Sequence, residues 1–134
     1  MAQPTVFEPA PFVYVKIPIV RGTEGLYPAR DEILDQRIRE MGVGSVIGWG
    51  DSLGERPLGC SRPVAYHRID VEVSDLEQGR AALRDILASL EVPAGTEINF
   101  SRGGVKVQDV YSPSGWLMDQ PTPTFAPFAP KAYL

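Results

Sequence analysis

The 134-residue chain has little of the residue types on which catalytic and metal sites most often depend. It contains one cysteine, Cys60, and one histidine, His67. A single cysteine cannot form an intramolecular disulfide, and it excludes any metal site built from a cysteine cluster. A lone histidine on a strand is more often a hydrogen-bonded structural residue than a base, because a base needs a correctly placed partner. We therefore expect no metal and no cofactor, and we favour a protein without catalytic activity.

Basic runs and long apolar runs are also missing. The 13 basic residues are outnumbered by 17 acidic ones, and the net charge is −4. A nucleic-acid binder needs a clustered basic surface, so we expect no nucleic acid among the partners. The longest apolar stretch, FVYVKIPIV, is interrupted by Lys16 and Pro18 and is too short to cross a bilayer. The first residues lack the basic and apolar regions of a secretory signal, which favours a cytoplasmic protein that does not contact membranes.

Glycine is plentiful between residues 42 and 55, GVGSVIGWGDSLGE, but the pattern of a nucleotide-binding loop is absent. A dinucleotide fingerprint needs G-x-G-x-x-G after a strand and before a helix. Here the glycines follow a predicted helix and enter a predicted strand, and no G-K-[ST] is present. We interpret the stretch as a strand with a bulge or bend near Gly48 and Gly50, where another backbone or a ligand comes close. Trp49, between these glycines, has no adjacent side chains to cover it.

Hydrophobic periodicity predicts four strands with two helices between them. Period-two alternation marks the strands, and apolar residues three and four apart mark the helices. The strands cover residues 12–20, 45–51, 64–74 and 96–101, and the helices cover residues 27–42 and 74–90. The order β-α-β-β-α-β resembles the ferredoxin-like superfold, on element order alone. The resemblance implies an α+β sandwich with a four-stranded antiparallel sheet and both helices on one face. Residues 104–111, GVKVQDVY, are a candidate fifth strand.

The chain divides by composition into three parts. We assign residues 1–11 to an N-terminal arm, residues 12–111 to the α+β domain and residues 112–134 to a C-terminal tail. The tail is rich in proline and has neither helix nor strand periodicity. Phe125 and Phe128 are three residues apart, so both rings lie along one edge of a polyproline II helix. Solvated tails are usually poor in aromatic residues, and we predict that this one docks on the sheet, on a second copy or on a partner protein.

Strand parity also predicts where a binding surface lies. Tyr66, Arg68, Asp70 and Glu72 alternate along the third strand, so they project together from the sheet face that carries no helix. Trp49 is expected to join them there. The complete set of candidate binding residues is Trp49, Asp51, Glu55, Tyr66, Arg68, Asp70, Glu72, Phe125 and Phe128.

Three functions fit these features. We prefer a non-catalytic protein-binding module, such as a small bacterial inhibitor or immunity-type protein that caps a partner protein or a second copy of itself. Small size, acidity and the lack of a catalytic constellation support it. One alternative is a small-molecule-binding regulatory domain that acts as a homodimer and uses the glycine-rich strand. Another is a small enzyme with its site near Trp49, Asp51, Cys60 and His67. A deep pocket favours the alternatives, and a flat open face favours the binding module.

Overall fold

The computed structural model describes residues 12–20, 27–53 and 65–122. Its elements, in chain order, are β1 (Phe12–Pro18), α1 (Tyr27–Glu40), β2 (Gly44–Leu53), β3 (Ala65–Val73), α2 (Leu76–Ser89), β4 (Glu97–Arg102), β5 (Val105–Ser112) and β6 (Gly115–Pro121). The strands form one antiparallel sheet in the order β2-β3-β1-β4-β5-β6. Both helices lie on one face of this sheet, and we call the other face the open face.

The predicted α+β class with both helices on one face is confirmed, but the predicted four-stranded sheet is wrong. β5 and β6 form a hairpin that extends the sheet to six strands. β6 lies in the segment that the sequence assigns to the tail. Apolar and polar residues do not alternate along β6, because two irregularities interrupt the strand. Its pairing with β5 shifts between Gln108 and Val110, and Asp119 takes a positive φ of 55°. A strand with such an irregularity carries no clean period-two signal.

Helix ends follow ordinary capping chemistry. α1 ends at Glu40, and Gly42 takes a φ of 71° while its amide donates to the Arg39 carbonyl at 2.9 Å. Such a left-handed residue is a common helix stop. α2 begins after Asp75, whose carboxylate accepts a hydrogen bond from the Gln78 amide at 2.9 Å. These contacts set the end of α1 and the start of α2.

The hydrophobic core lies between the helices and the sheet. Cross-strand partners share a face of the sheet, and Val15 of β1 pairs with Ile69 of β3 and Ile98 of β4. All three side chains are buried under the helices. The helices close the core with five fully buried side chains: Leu34, Ile38, Leu83, Ile86 and Leu87.

A bulge in β2 decides where the end of that strand points. Val46 pairs with Val71, whereas Trp49 pairs with Ile69, so three steps along β2 match two steps along β3. The shift lies between Val46 and Gly48, in the stretch where the sequence predicts a bulge. Val46 and Trp49 therefore share the helix-bearing face, although strict alternation places them on opposite faces. The expectation that Trp49 lies on the open face is wrong.

The open face carries stacked cations and aromatic rings. The ammonium nitrogen of Lys16 lies 4.6 Å from the centre of the Tyr66 ring, and the guanidinium carbon of Arg68 lies 4.1 Å from the centre of the Tyr14 ring. Arg68 also donates to Asp70 at 2.7 Å. The register of β3 with β1 places Tyr66, Arg68, Asp70 and Glu72 on this face, as the strand parity predicts.

Candidate functional site

A histidine held between two aspartates lies where α1 meets the glycine-rich edge of the sheet. His67 Nε2 is 2.8 Å from Oδ2 and 2.9 Å from Oδ1 of Asp31, and His67 Nδ1 is 2.9 Å from Oδ1 of Asp51. His67 and Asp31 are buried, whereas the Asp51 side chain is 64% exposed. We call these three residues the His67 cluster.

Each member of the His67 cluster comes from a different element. Asp31 lies three and seven residues before Leu34 and Ile38 of α1, so it sits on the buried stripe of that helix. His67 alternates with the buried Ile69 along β3 and so faces the helices. Asp51 of β2 pairs directly with His67 across the sheet. It reaches that face only because of the bulge.

The hydrogen bond between Asp31 and His67 needs one hydrogen, which either side chain can carry. A carboxylate can only accept, so two ionised aspartates need a hydrogen on both ring nitrogens. With a neutral imidazole, one aspartate must instead be protonated and donate to the ring. Burial raises the pKa of Asp31 above its ordinary value, against the opposing hydrogen bond and charge of His67. Both arrangements carry the same net charge, so the proton can sit on Asp31 or on His67 while both hydrogen bonds are kept.

Beside the His67 cluster lies a cavity of about 680 Å³, which we call the Trp49 cavity. The indole of Trp49 forms part of its wall and is 66% exposed. Small-molecule sites are typically clefts of about 300–1,000 Å³ that combine apolar walls with a few polar groups. The residues that line the cavity come from α1, β2 and β3 and are Pro28, Asp31, Glu32, Asp35, Trp49, Gly50, Asp51 and His67.

Carboxylates dominate the charge of the Trp49 cavity. Asp35 accepts hydrogen bonds from the Val46 amide at 2.9 Å and from Arg39 Nε at 2.8 Å. Burial pushes the pKa of Asp35 upward, but these two donors outweigh it and the pKa lies below its ordinary value. Glu32 has no hydrogen bond or ion pair within the described ranges of the chain. Its carboxylate is therefore free to contact a molecule in the cavity.

A second buried charge cluster lies at the other end of the helix layer. Arg80 of α2 donates to Asp109 of β5 through Nε at 3.1 Å and through Nη2 at 2.7 Å, and both side chains are buried. Its guanidinium carbon also lies 4.0 Å from the centre of the Phe100 ring. Arg84 and the Asp119 amide donate to the same aspartate. With its charges paired, this cluster ties the β5–β6 hairpin to α2.

The structure divides the candidate binding residues into three groups. Trp49 and Asp51 lie together at the Trp49 cavity. Tyr66, Arg68, Asp70 and Glu72 lie on the open face, across the sheet from that cavity. The remaining three, Glu55, Phe125 and Phe128, lie outside the described residues, as does Cys60 of the enzyme alternative.

The sequence reasoning missed Asp31, Glu32 and Asp35 as site residues. A signal for Asp31 was present, because it falls on the same helical stripe as Leu34 and Ile38. A carboxylate on such a stripe needs a partner on the element beneath it. His67, on the inward parity of β3, is that partner.

Comparisons with known proteins found no matching family model, no matching curated protein and no matching solved structure. Within the described ranges, no three His, Cys, Asp or Glu side chains are placed to hold a metal ion together. No helix in this part of the chain is long and apolar enough to cross a membrane. The site must therefore be interpreted from its own geometry.

Proposed function

We propose that this chain is a small-molecule-binding domain and that its ligand occupies the Trp49 cavity. The observation that carries the proposal is a largely exposed indole beside a buried histidine–carboxylate pair on the wall of one cavity. An apolar surface with a few convergent polar groups is the usual composition of a ligand site. This proposal corresponds to the regulatory-domain alternative from the sequence.

Energetics support a functional origin for the His67 cluster. Taking a carboxylate and an imidazolium out of water is costly, and apolar residues of similar size often stabilise a fold at least as well. Asp31 and His67 nevertheless occupy core positions beside a cavity. Titratable groups buried in a cleft are candidates for function on this ground.

The hydrogen bonds of His67 support binding rather than acid–base catalysis. Both ring nitrogens are within hydrogen-bond distance of carboxylate oxygens. A general base needs a nitrogen that can reach a substrate proton. Here the nitrogen on the exposed side, Nδ1, is already hydrogen-bonded to Asp51. The cluster instead presents fixed charges to the cavity.

A fragment screen tests the proposed function. A set balanced between cationic, anionic and neutral compounds is screened by saturation-transfer NMR against the full chain. We expect binding fragments whose affinity falls by about tenfold or more in Trp49→Ala, because the exposed indole supplies apolar contact area. Leu117→Ala is the matched control, since Leu117 is an exposed apolar residue on β6, at the opposite edge of the sheet. If every hit binds Trp49→Ala as well as the parent chain, the proposal is wrong.

The protein-binding module stays a second proposal, and the open face favours it. Lys16 and Arg68 share this face with Asp70, Glu72 and Glu97, so the surface carries both signs of charge. A face of mixed charge can be complementary to itself when two copies meet across a twofold axis. Aromatic rings beneath the cations supply apolar contact area. We therefore assign a second copy of the chain as the partner.

Analytical ultracentrifugation over a concentration series tests this second proposal. We expect a reversible dimer that Arg68→Asp weakens, because the substitution replaces a cation with an anion beside Asp70. Arg37→Asp makes the same charge change on α1, on the helix side, and should leave the dimer intact. A chain that stays monomeric at every concentration would contradict this proposal without affecting that for the Trp49 cavity.

We also propose that β1 to β4 and the two helices form a ferredoxin-like unit with an added β5–β6 hairpin. The support is the strand order β2-β3-β1-β4, with α1 between β1 and β2 and α2 between β3 and β4. This is the split β-α-β arrangement. Superfolds of this kind host unrelated functions, so the assignment adds no argument about the ligand.

A further inference from the structure

The Trp49 cavity has an excess of negative charge. Its lining includes four carboxylates, from Asp31, Glu32, Asp35 and Asp51, and one imidazole, from His67. Arg39 pairs with Asp35 but is not part of the lining. Two of the four carboxylates are exposed: Glu32, and Asp51, whose side chain is 64% exposed although it also contacts His67 Nδ1. Such a concave site with walls of low dielectric concentrates cations from solution.

Trp49 supplies a second feature that points to the same ligand chemistry. Its indole is mostly exposed on the cavity wall, where a molecule in the cavity can lie against it. Tryptophan is the best aromatic partner for an organic cation, because the face of its ring carries negative potential. An aromatic wall combined with carboxylates is how proteins commonly hold ammonium groups.

From the cavity, the exposed indole and the surrounding carboxylates, we infer that the ligand is a small organic cation, an amine or a guanidinium on an apolar body. This inference rests on the proposed function and names the ligand class for the same site. The apolar body lies against Trp49, and the cationic head donates hydrogen bonds to Glu32 and Asp51. The buried Asp31–His67 pair forms the floor and keeps Asp51 in place through Nδ1.

Three ligands of the same shape and different charge test this inference. Benzamidine is a cation, benzamide is neutral and benzoate is an anion, and all three carry the same ring. Binding is followed by ¹H–¹⁵N NMR through the indole Nε1–H signal of Trp49, which Trp116→Phe identifies because the chain has two tryptophans. We expect benzamidine to shift that signal and to bind about tenfold more tightly than benzamide. Added salt should weaken benzamidine binding and leave benzamide unchanged.

Matched variants locate the charge that matters. Glu32→Gln should weaken benzamidine binding by about twofold to fivefold, the effect of one exposed ion pair. Glu40→Gln makes the same change on α1, outside the cavity lining, and should have no effect. Equal losses in both variants would show a general effect of net charge and would overturn the assignment of the cationic head to Glu32.

The outcomes separate this inference from the proposed function. If benzamide or benzoate shifts the Trp49 signal as strongly as benzamidine does, the cavity binds ligands but the cation assignment is wrong. If none of the three ligands shifts it, the cation inference falls, and the fragment screen alone then decides the proposed function. Benzamidine shifts that are confined to the open face would also overturn the inference.

Discussion

His67 Nε2 lies within 2.9 Å of both carboxylate oxygens of Asp31, and both side chains are buried. The pair connects α1 to β3 through one imidazole edge, so it fixes the helix on the sheet and forms the floor of the Trp49 cavity. His67 Nε2 can donate to an ionised Asp31 or accept from a protonated Asp31, so either form keeps the hydrogen bond. What changes with pH is the free energy of unfolding.

The raised pKa of Asp31 gives a stability change of definite sign. The pKa of the folded chain lies above the unfolded value near 3.8, so the folded state binds more protons just above that pH. The contribution of this carboxyl is therefore fully present below the unfolded pKa and is lost as the pH rises toward the folded pKa. We therefore compare the unfolding free energies of the parent chain and of Asp31→Asn. The difference, parent minus variant, should fall as the pH rises from about 4. Urea denaturation at a series of pH values measures it.

Asp35→Asn is the control, because its effect on the unfolding free energy should change with pH in the opposite direction. The pKa of Asp35 is lowered in the folded chain, so its contribution is present above the unfolded pKa and is lost as the pH falls through the folded pKa. The same difference, calculated for Asp35→Asn, should rise with pH. A difference for Asp31→Asn that also rises would show that the folded chain does not favour its protonated form.

The buried pair of Arg80 and Asp109 should be costly to break. Arg80→Ala leaves the Asp109 carboxylate buried without its bidentate partner, and we expect a loss of about 3–5 kcal/mol of unfolding free energy. Arg102→Ala removes an arginine that pairs with Glu77 and Asp119 at the surface, so it should cost much less. If Arg80→Ala costs as little as Arg102→Ala is expected to cost, water reaches Asp109 and replaces the hydrogen bonds from Arg80.

Truncation of a core leucine tests the helix–sheet packing. Leu83 is fully buried between α2 and the sheet, and Leu83→Ala should cost about 2–5 kcal/mol through lost burial and a residual cavity. Leu117→Ala removes the same atoms from an exposed position on β6, where the change should stay within about 0.5 kcal/mol. Chemical denaturation of both variants measures the difference. A loss below about 0.5 kcal/mol in Leu83→Ala would place that side chain outside the core.

The predicted docking of Phe125 and Phe128 needs a truncation that spares β6. A deletion of residues 123–134 keeps Asp119 and the whole strand, which ends at Pro121. We expect it to lower the unfolding free energy by about 1–3 kcal/mol, the contribution of two partly buried phenylalanines. The double variant Phe125→Ala/Phe128→Ala should lose as much, whereas Lys131→Ala should lose nothing. If stability, oligomeric state and partner binding are all unchanged by the deletion, the tail has no docking role.

Much of the fold could be predicted because its central strands alternate cleanly. β1 and β3 have strict inward and outward parity, and the sequence therefore places Val15, Ile69 and Arg68 on the correct faces. β6 could not be predicted in this way. It is an edge strand whose pairing shifts and whose Asp119 leaves the extended conformation. Parity identifies a strand only where the pairing is regular.

The site was less predictable because its members come from three elements. His67 and Asp51 are adjacent only once β2 pairs with β3 in a definite register, and the bulge sets that register. Asp31 joins them only once α1 lies over this edge of the sheet. Inward-facing charges were visible in the sequence, but their partners depend on strand order. The same reasoning applies to Arg80 and Asp109.

The bulge makes the site sensitive to the length of β2 more than to the identity of residues 48 and 50. Neither Gly48 nor Gly50 has a positive φ, and a Cβ at Gly50 would meet no heavy atom within 4 Å in the described part of the chain. Larger residues should therefore fit at either position. Deleting one residue between Val46 and Trp49, in contrast, would turn the indole and Asp51 to the other side of the sheet. Among relatives that keep the cavity, insertions and deletions should be rare at this point, while Gly48 and Gly50 are free to vary.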